Sequence, residues 1–415
     1  MNLYIIKDGY TYTQRKENSI INKLDSNGNI ISKYEETPYE IKKEAKEIKE
    51  MEIFPEKYFD YYINKNKEIE IRGLTEEYHN ITNVKIPTCI ERMPVVKINE
   101  LAFANYIKLK NLEMPDTIEE LGHSCFLGCQ GLTRVHLSEQ IKTIPKWCFH
   151  ASTIKDINLE NIENIEQNAF LNSSIENIKL GKMNLIGDNA FADCHDLKIA
   201  SIEYVNEIKD SVFSHSENLK ELNLPNSLEE LPKYMCFDCT RLKKVNIPSE
   251  VKTIHTGAFF GCYALDNVIL PKTLKVIDDV AFGYCSFKNI ELPNGLESIG
   301  ENAFSSCKLN SIVIPNSVKY IEMGAFQCNE NLESVILSNK IDLLQVNVFY
   351  NCPNLKTINI PDSVKQIKER AFQNCKNLEV INMSSNTQYD ENAFDFAQKL
   401  NIKIRDNINT KNIER

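Results

Sequence analysis

Thirteen cysteines and seven histidines are the side chains of this 415-residue chain with the widest chemical reach. Cys236-Phe-Asp-Cys239 has the C-x-x-C spacing of a redox thiol pair, or of half a zinc site. The first chemistry needs a strand-helix-strand setting and the second needs another ligand pair. Neither accompanies the motif, and Cys125-x-x-x-Cys129 stands equally alone. The histidines, at 79, 123, 136, 150, 195, 215 and 255, form no H-x-x-x-H pair. No G-x-S-x-G elbow, dinucleotide-binding glycine run or P-loop occurs. The residue pattern points away from an enzyme and implies no metal or cofactor.

Twelve of the thirteen cysteines instead keep step with phenylalanine. Fourteen phenylalanines, from Phe103 and Phe126 through Phe237 and Phe259 to Phe372 and Phe394, follow one another at 21–24 residues. Cys129, Cys194, Cys262, Cys285, Cys307, Cys352 and Cys375 lie three residues after a phenylalanine, and Cys239 and Cys328 two after. Cys125, Cys148 and Cys236 directly precede one, in the place of alanine, and only Cys89 falls outside. Cysteine alternates there with alanine and serine, which marks it as a small, buried, reduced filler. A fixed period in the twenties predicts a solenoid whose units bury their apolar faces only by stacking.

One clean copy, residues 242–265, reads LKKVNIPSEVKTIHTGAFFGCYAL. Its L-x-x-V-x-I part alternates as a short strand does, and the following proline lacks an amide donor and stops the strand. Eight prolines hold that place, from Pro87 and Pro115 to Pro315 and Pro361. The V-x-x-I segment turns the chain back, and A-F-x-x-C supplies a tight turn whose ring fills the interior. Copies across 149–213 are irregular, A-F being followed by Asn172-Ser173 in one while Leu197-Lys-Ile-Ala-Ser-Ile loses the proline, so local distortion is expected there.

These phrases resemble the leucine-rich-repeat superfamily, and A-F-x-x-C resembles its BspA-like branch most closely. The resemblance covers about four-fifths of the chain. It implies a stack of about fourteen units, with a parallel sheet on one face and irregular coil or 3-10 turns on the other. At roughly 4.8 Å per strand such a sheet is on the order of 60–65 Å long. It implies a platform for a protein partner, and for many members of the branch a secreted or surface-bound life.

The residues before the repeat are of another kind. Turn signals at Lys7-Asp8-Gly9 and at Ser26-Asn27-Gly28-Asn29 predict hairpins, and 40–54 reads as an amphipathic helix ended by Pro55. The expected organisation is a small β-meander plus helix over 1–59, the solenoid with its capping strands over 60–404, and a polar tail over 405–415. The first segment reads either as a cap over the first rung or as a partner-binding module.

The formal charge of −10 comes from 48 basic and 58 acidic residues that are interspersed. That argues against nucleic acid, whose phosphates need a concentrated basic face. No apolar stretch is long enough for a membrane span, and MNLYIIKDGYTYT lacks the pattern of a signal peptide. These features predict a cytoplasmic protein, with the cell surface or secretion by a non-standard route as the alternative. Oligomeric state is left open.

Strand alternation also identifies the outward residues of each rung. In the first half these are polar and charged. The second half presents Ile269, Val313, Ile336 and Val380 beside Ser311, Ser334 and Thr357, rimmed by Glu291 and Asn359. Aliphatics rimmed by polar groups suit a protein contact. The sequence therefore predicts a non-enzymatic scaffold that binds a protein partner at those nine residues. Self-association, or adhesion at the cell surface, is the rival expectation. β-branched residues also suit any strand without a partner.

Overall fold

Each repeat folds as a strand, a corner, a second shorter strand and a turn, and in eight of them a proline shortly after the first strand keeps it short. The computed structural model describes residues 3–7, 10–14, 21–24, 30–34, 56–395 and 400–405. The predicted helix over 40–54 and the tail beyond Arg405 lie outside them. Leu3–Lys7, Tyr10–Gln14, Ile21–Leu24 and Ile30–Tyr34 form an antiparallel sheet in sequence order. From Phe59 onward the chain coils as a β-solenoid of about fourteen turns.

Strands of successive rungs pair in parallel and in register. Asn111, Leu112 and Glu113 face Asn83, Val84 and Lys85 on one side and Arg134, Val135 and His136 on the other. The central residue of each triplet points inward and is buried, as Leu112, Val135, Leu222 and Ile312 show, or, as at Val245, partly buried against the core. In addition to this ladder, the V-x-x-I segments make a second one. Its two-residue strands pair without a break from Glu230–Leu231 through Thr253–Ile254, Val276–Ile277 and Ser298–Ile299 to Tyr320–Ile321.

Two departures from the sequence expectation concern continuity. Gly181 and Glu203 stand where eight other rungs have proline, and there the strands are not distorted but extended. Asn177–Ile186 and Ile199–Ile208 run ten residues each, round the corner from the first ladder into the second. The missing proline permits this without requiring it, since Arg134–His136 and Ser334–Ile336 stay three residues long although Ser138 and Ser338 hold the proline place. The first ladder is interrupted elsewhere. It forms three stretches, from Asn83–Lys85 to Asp156–Ile157, from Asn177–Ile186 to Lys244–Asn246, and from Ser311–Val313 to Asn401–Arg405. Residues 267–269 and 289–291, though their sequence phrase is regular, take part in no strand pairing.

The third side of the coil is the A-F-x-x-C turn. Two residues per turn, at minus two and plus two from the central position, take positive φ: Ser124 and Gly128, Asn168 and Asn172, Asn302 and Ser306. Asparagine and glycine tolerate that conformation best, which accounts for their frequency there. Backbone bonds then tie turn to turn, for example Phe103 N–H to Cys125 O at 2.8 Å and Phe149 N–H to Ala169 O at 2.7 Å. The rings stack down the axis with centroids 5.1–5.9 Å apart and planes within 17°.

One tooth of the comb is displaced. The positive-φ pair of its turn is Tyr234 and Asp238, so the central position belongs to Cys236, not Phe237. Cys236 is buried, Phe237 is half-buried and stacks outside on Phe260, and the axial rings form two runs, Phe103–Phe213 and Phe259–Phe394. Cys239 then sits at plus three like the others.

That plus-three position has a definite task. Its side chain donates to the carbonyl of the central residue one rung earlier: Cys129 to Phe103 O at 3.0 Å, Cys194 to Phe170 O at 3.1 Å and Cys307 to Phe282 O at 3.2 Å. Ser216 substitutes with a 2.9 Å bond to Phe191 O. Asn329, not Cys328, fills the place after Phe326, with Nδ2 2.8 Å from Phe304 O and 2.9 Å from Phe326 O. Burial pushes the thiols of Cys194, Cys307 and Cys375 up to about 12, which keeps them protonated as donors. All thirteen cysteines are free thiols; the closest pair, Cys125 and Cys148, has its sulfurs 3.4 Å apart.

A candidate protein-binding face

Because parallel strands pair residue to residue, outward side chains of the first ladder form two columns, one from the first and one from the third member of each triplet. Ser311, Ser334, Thr357 and Val380 are successive partners in one column. Val313 and Ile336 are partners in the other, 56% and 61% exposed, and Asn359 follows on the next strand. Asn359 Oδ1 accepts from Asn382 Nδ2 at 2.6 Å, which fixes the lower rim. Seven of the nine predicted residues therefore share one small sheet.

The other two stand apart. Ile269, 82% exposed, and Glu291 lie on the two rungs without strand pairing, above the first strand of that sheet. Val380 is half-buried and stands among the hydroxyls, not beside the exposed aliphatics. The apolar centre is thus the Val313–Ile336 pair, and the aliphatic row read from sequence divides between two columns and an unpaired rung.

Sequence reasoning missed two polar features on the side of the second ladder. A groove of about 520 Å³ lies among Lys97, Glu120, His123, Lys142 and Glu166. Two of its charges are met internally, Lys97 by Glu120 at 2.5 Å and Glu166 by the Lys146 N–H at 3.0 Å. Among the described residues no three His, Cys, Asp or Glu side chains are grouped to hold a metal ion.

The second feature is His255, whose Nε2 is 3.0 Å from Glu230 Oε2 and whose Nδ1 is 3.0 Å from Asp278 Oδ2. Only the imidazolium can donate from both nitrogens. Partial burial pulls its pKa down, but the two hydrogen bonds and the two carboxylate charges outweigh it, and the net shift is upward. A raised histidine pKa stabilises fully below the unfolded value of about 6.5 and loses that stabilisation as pH rises through the folded pKa. The thermal midpoint of the wild type should therefore exceed that of His255→Gln by more at pH about 6 than at about 9. A gap that widens with pH would contradict the doubly donating ring.

Stacked rungs with an in-register parallel face define a repeat-solenoid protein of the leucine-rich-repeat class. A family model for the BspA type leucine rich repeat region matches residues 75–198, 182–286 and 275–401, and the chain belongs to that family. A leucine-rich repeat protein from Bacteroides ovatus is similar in structure, with a TM-score of 0.59 and 21% identity over 85% of this chain and 99% of that one. A leucine rich cell surface protein from Faecalibacterium prausnitzii aligns at 24% identity and a TM-score of 0.49, over 86% of this chain and 96% of that one. Among curated proteins none matches the sequence. No helix among the described residues is long and apolar enough to cross a membrane.

Proposed function

We propose that the chain is a non-enzymatic binding scaffold that recognises a protein partner through the sheet formed by Ser311–Val313, Ser334–Ile336, Thr357–Asn359 and Val380–Ser384. The observation that carries this reading is the pairing of Val313 with Ile336, both largely exposed, beside a column of three hydroxyl side chains. Aliphatic side chains in contact on a rigid face lose little entropy on binding, and the hydroxyls supply directional bonds. Ile269 and Glu291 extend the surface as flanking contacts. BspA-type repeat proteins are typically surface or secreted bacterial proteins, which favours display outside the cytoplasm over the cytoplasmic placement that the N-terminal residues predict.

The reading is tested by capturing partners from the native cell with the wild type and with Val313→Lys/Ile336→Lys. Both positions point outward, so the variant should keep the wild-type melting temperature and lose the partner. Retention of the same partner by the folded variant would move recognition off this sheet. Capture of nothing but the protein itself would favour self-association.

A further inference from the structure

The turn side of the solenoid carries a second surface, made of aromatic rings that the core does not use. Phe237 stacks on Phe260 with centroids 4.9 Å apart, and Tyr234 meets Phe237 edge-on at 5.7 Å. Tyr284 meets Phe260 edge-on at 5.2 Å and Tyr263 at 6.2 Å. The five rings lie on three consecutive turns. Tyr234, Tyr263 and Tyr284 are 40–52% exposed, and both phenylalanines are half-buried.

The backbone makes room for them. A Cβ on Gly257, at φ +64°, would come within 2.6 Å of the Tyr234 ring, and one on Gly283 within 3.0 Å of the Phe260 ring. The absence of side chains at these two positions leaves room for the Tyr234 and Phe260 rings. The displaced register at Cys236 is what brings Phe237 outside to join them.

The rim of this patch is acidic. Asp279 follows one side, its carbonyl accepting from Gly257 N–H at 2.9 Å and its carboxylate from the Glu301 N–H at 2.8 Å. Asp210 adjoins Lys233 through a 3.0 Å bond to its N–H. Asp238 follows Phe237, its Oδ2 3.8 Å from His215 Nδ1, and Glu217, whose backbone carbonyl accepts from Thr240 Oγ1 at 3.4 Å, stands in the column of Tyr263. Lys233 and Arg241 are the fixed cations on these turns, and His215 on the turn before meets Phe237 edge-on at 5.3 Å. Aromatic faces carry a negative quadrupole, and carboxylates around them deepen the attraction for a cation.

We propose that this aromatic patch binds an arginine-bearing peptide segment of a partner. The guanidinium is favoured over an ammonium because its plane stacks on rings while its edge bonds the rim carboxylates in pairs. The surface is separate from the Val313–Ile336 sheet and does not depend on the reading given for it.

The test uses the full-length protein and a labelled arginine–glycine repeat peptide, with lysine–glycine and citrulline–glycine peptides of the same length. The arginine peptide should bind, the lysine peptide more weakly and the citrulline peptide not measurably. Tyr263→Ser/Tyr284→Ser should weaken arginine-peptide binding about tenfold, the size of a cation–π contact in a partly desolvated site. Asp238→Asn/Asp279→Asn, which keeps the rings, should weaken it comparably and reduce its salt dependence. Glu139→Gln, a distant carboxylate, should leave it unchanged. The proposal fails if the wild type does not bind the arginine peptide, if both double variants bind it as the wild type does, or if Glu139→Gln weakens it as much as they do. The last result would mean that only the overall negative charge attracts the peptide.

Discussion

Replacing Phe304 by alanine is expected to cost about 4 kcal/mol of stability, whereas the same change at Phe237 costs about 1 kcal/mol or less. Phe304 is fully buried, with Phe282 and Phe326 stacked 5.5 and 5.6 Å to either side. The void left by its ring cannot close easily. The turns on both sides are held by Phe304 N–H to Ala325 O at 2.8 Å and by Phe282 N–H to Ala303 O at 2.9 Å, so the neighbours cannot settle inward. Phe237 is half-buried and water reaches its place when it is removed. Urea unfolding of the two variants measures the contrast. Equal losses would mean that Phe237 occupies the axis after all. Because repeat arrays need not unfold in one step, hydrogen exchange at the affected turns is the firmer readout.

Asn329→Leu is the second large effect, on the order of 3 kcal/mol. The leucine is close in size but donates nothing, so the carbonyls of Phe304 and Phe326 both lose a buried partner, at about 1–3 kcal/mol each before relaxation. Asn329→Cys should recover a good part of the loss. On the adjoining rungs Cys307 and Cys352 donate from the same position to the carbonyl one rung earlier, at 3.2 and 3.4 Å. A cysteine variant as unstable as the leucine variant would show that bulk at the site, not donation, holds the rungs together.

Much of this architecture is legible in the sequence because a solenoid repeats one local problem. The phenylalanine period, the inward valine or isoleucine and the proline stop are each fixed by a neighbour a few residues away. The displaced tooth was also written there: 24 and then 22 residues flank Phe237, while 23 and 23 flank Cys236. Reading phenylalanine as the marker hid it, because a thiol on the axis breaks the composition pattern without breaking the period. The long strands at Gly181 and Glu203 need the missing proline but are not announced by it, since Ser138 and Ser338 also replace proline beside three-residue strands. The missing pairing at 267–269 and 289–291 has no such signature, since Val268-Ile-Leu-Pro271 and Ile290-Glu-Leu-Pro293 read like their paired neighbours. Pairing there depends on how successive rungs are set against one another over the stack, which no single repeat encodes.

The binding face shows the same division. Exposure of Val313 and Ile336 follows from strand alternation alone. Their grouping depends on which member of each triplet they are. Val380 opens its triplet while Val313 and Ile336 close theirs, and this places Val380 in the hydroxyl column. The aromatic patch was beyond reach of the repeat pattern because it is built from the residues that depart from it.

The buried thiols also make the solenoid its own recording instrument. Most turns from Phe126 to Phe372 hold a cysteine at or beside the axis, buried and out of a reagent's reach while its rung is closed. A thiol reagent added to the native protein therefore marks a rung only when that rung opens. The order in which Cys129, Cys194, Cys239, Cys262, Cys285, Cys307, Cys352 and Cys375 take up label reads out, position by position, where along its length the stack comes apart first.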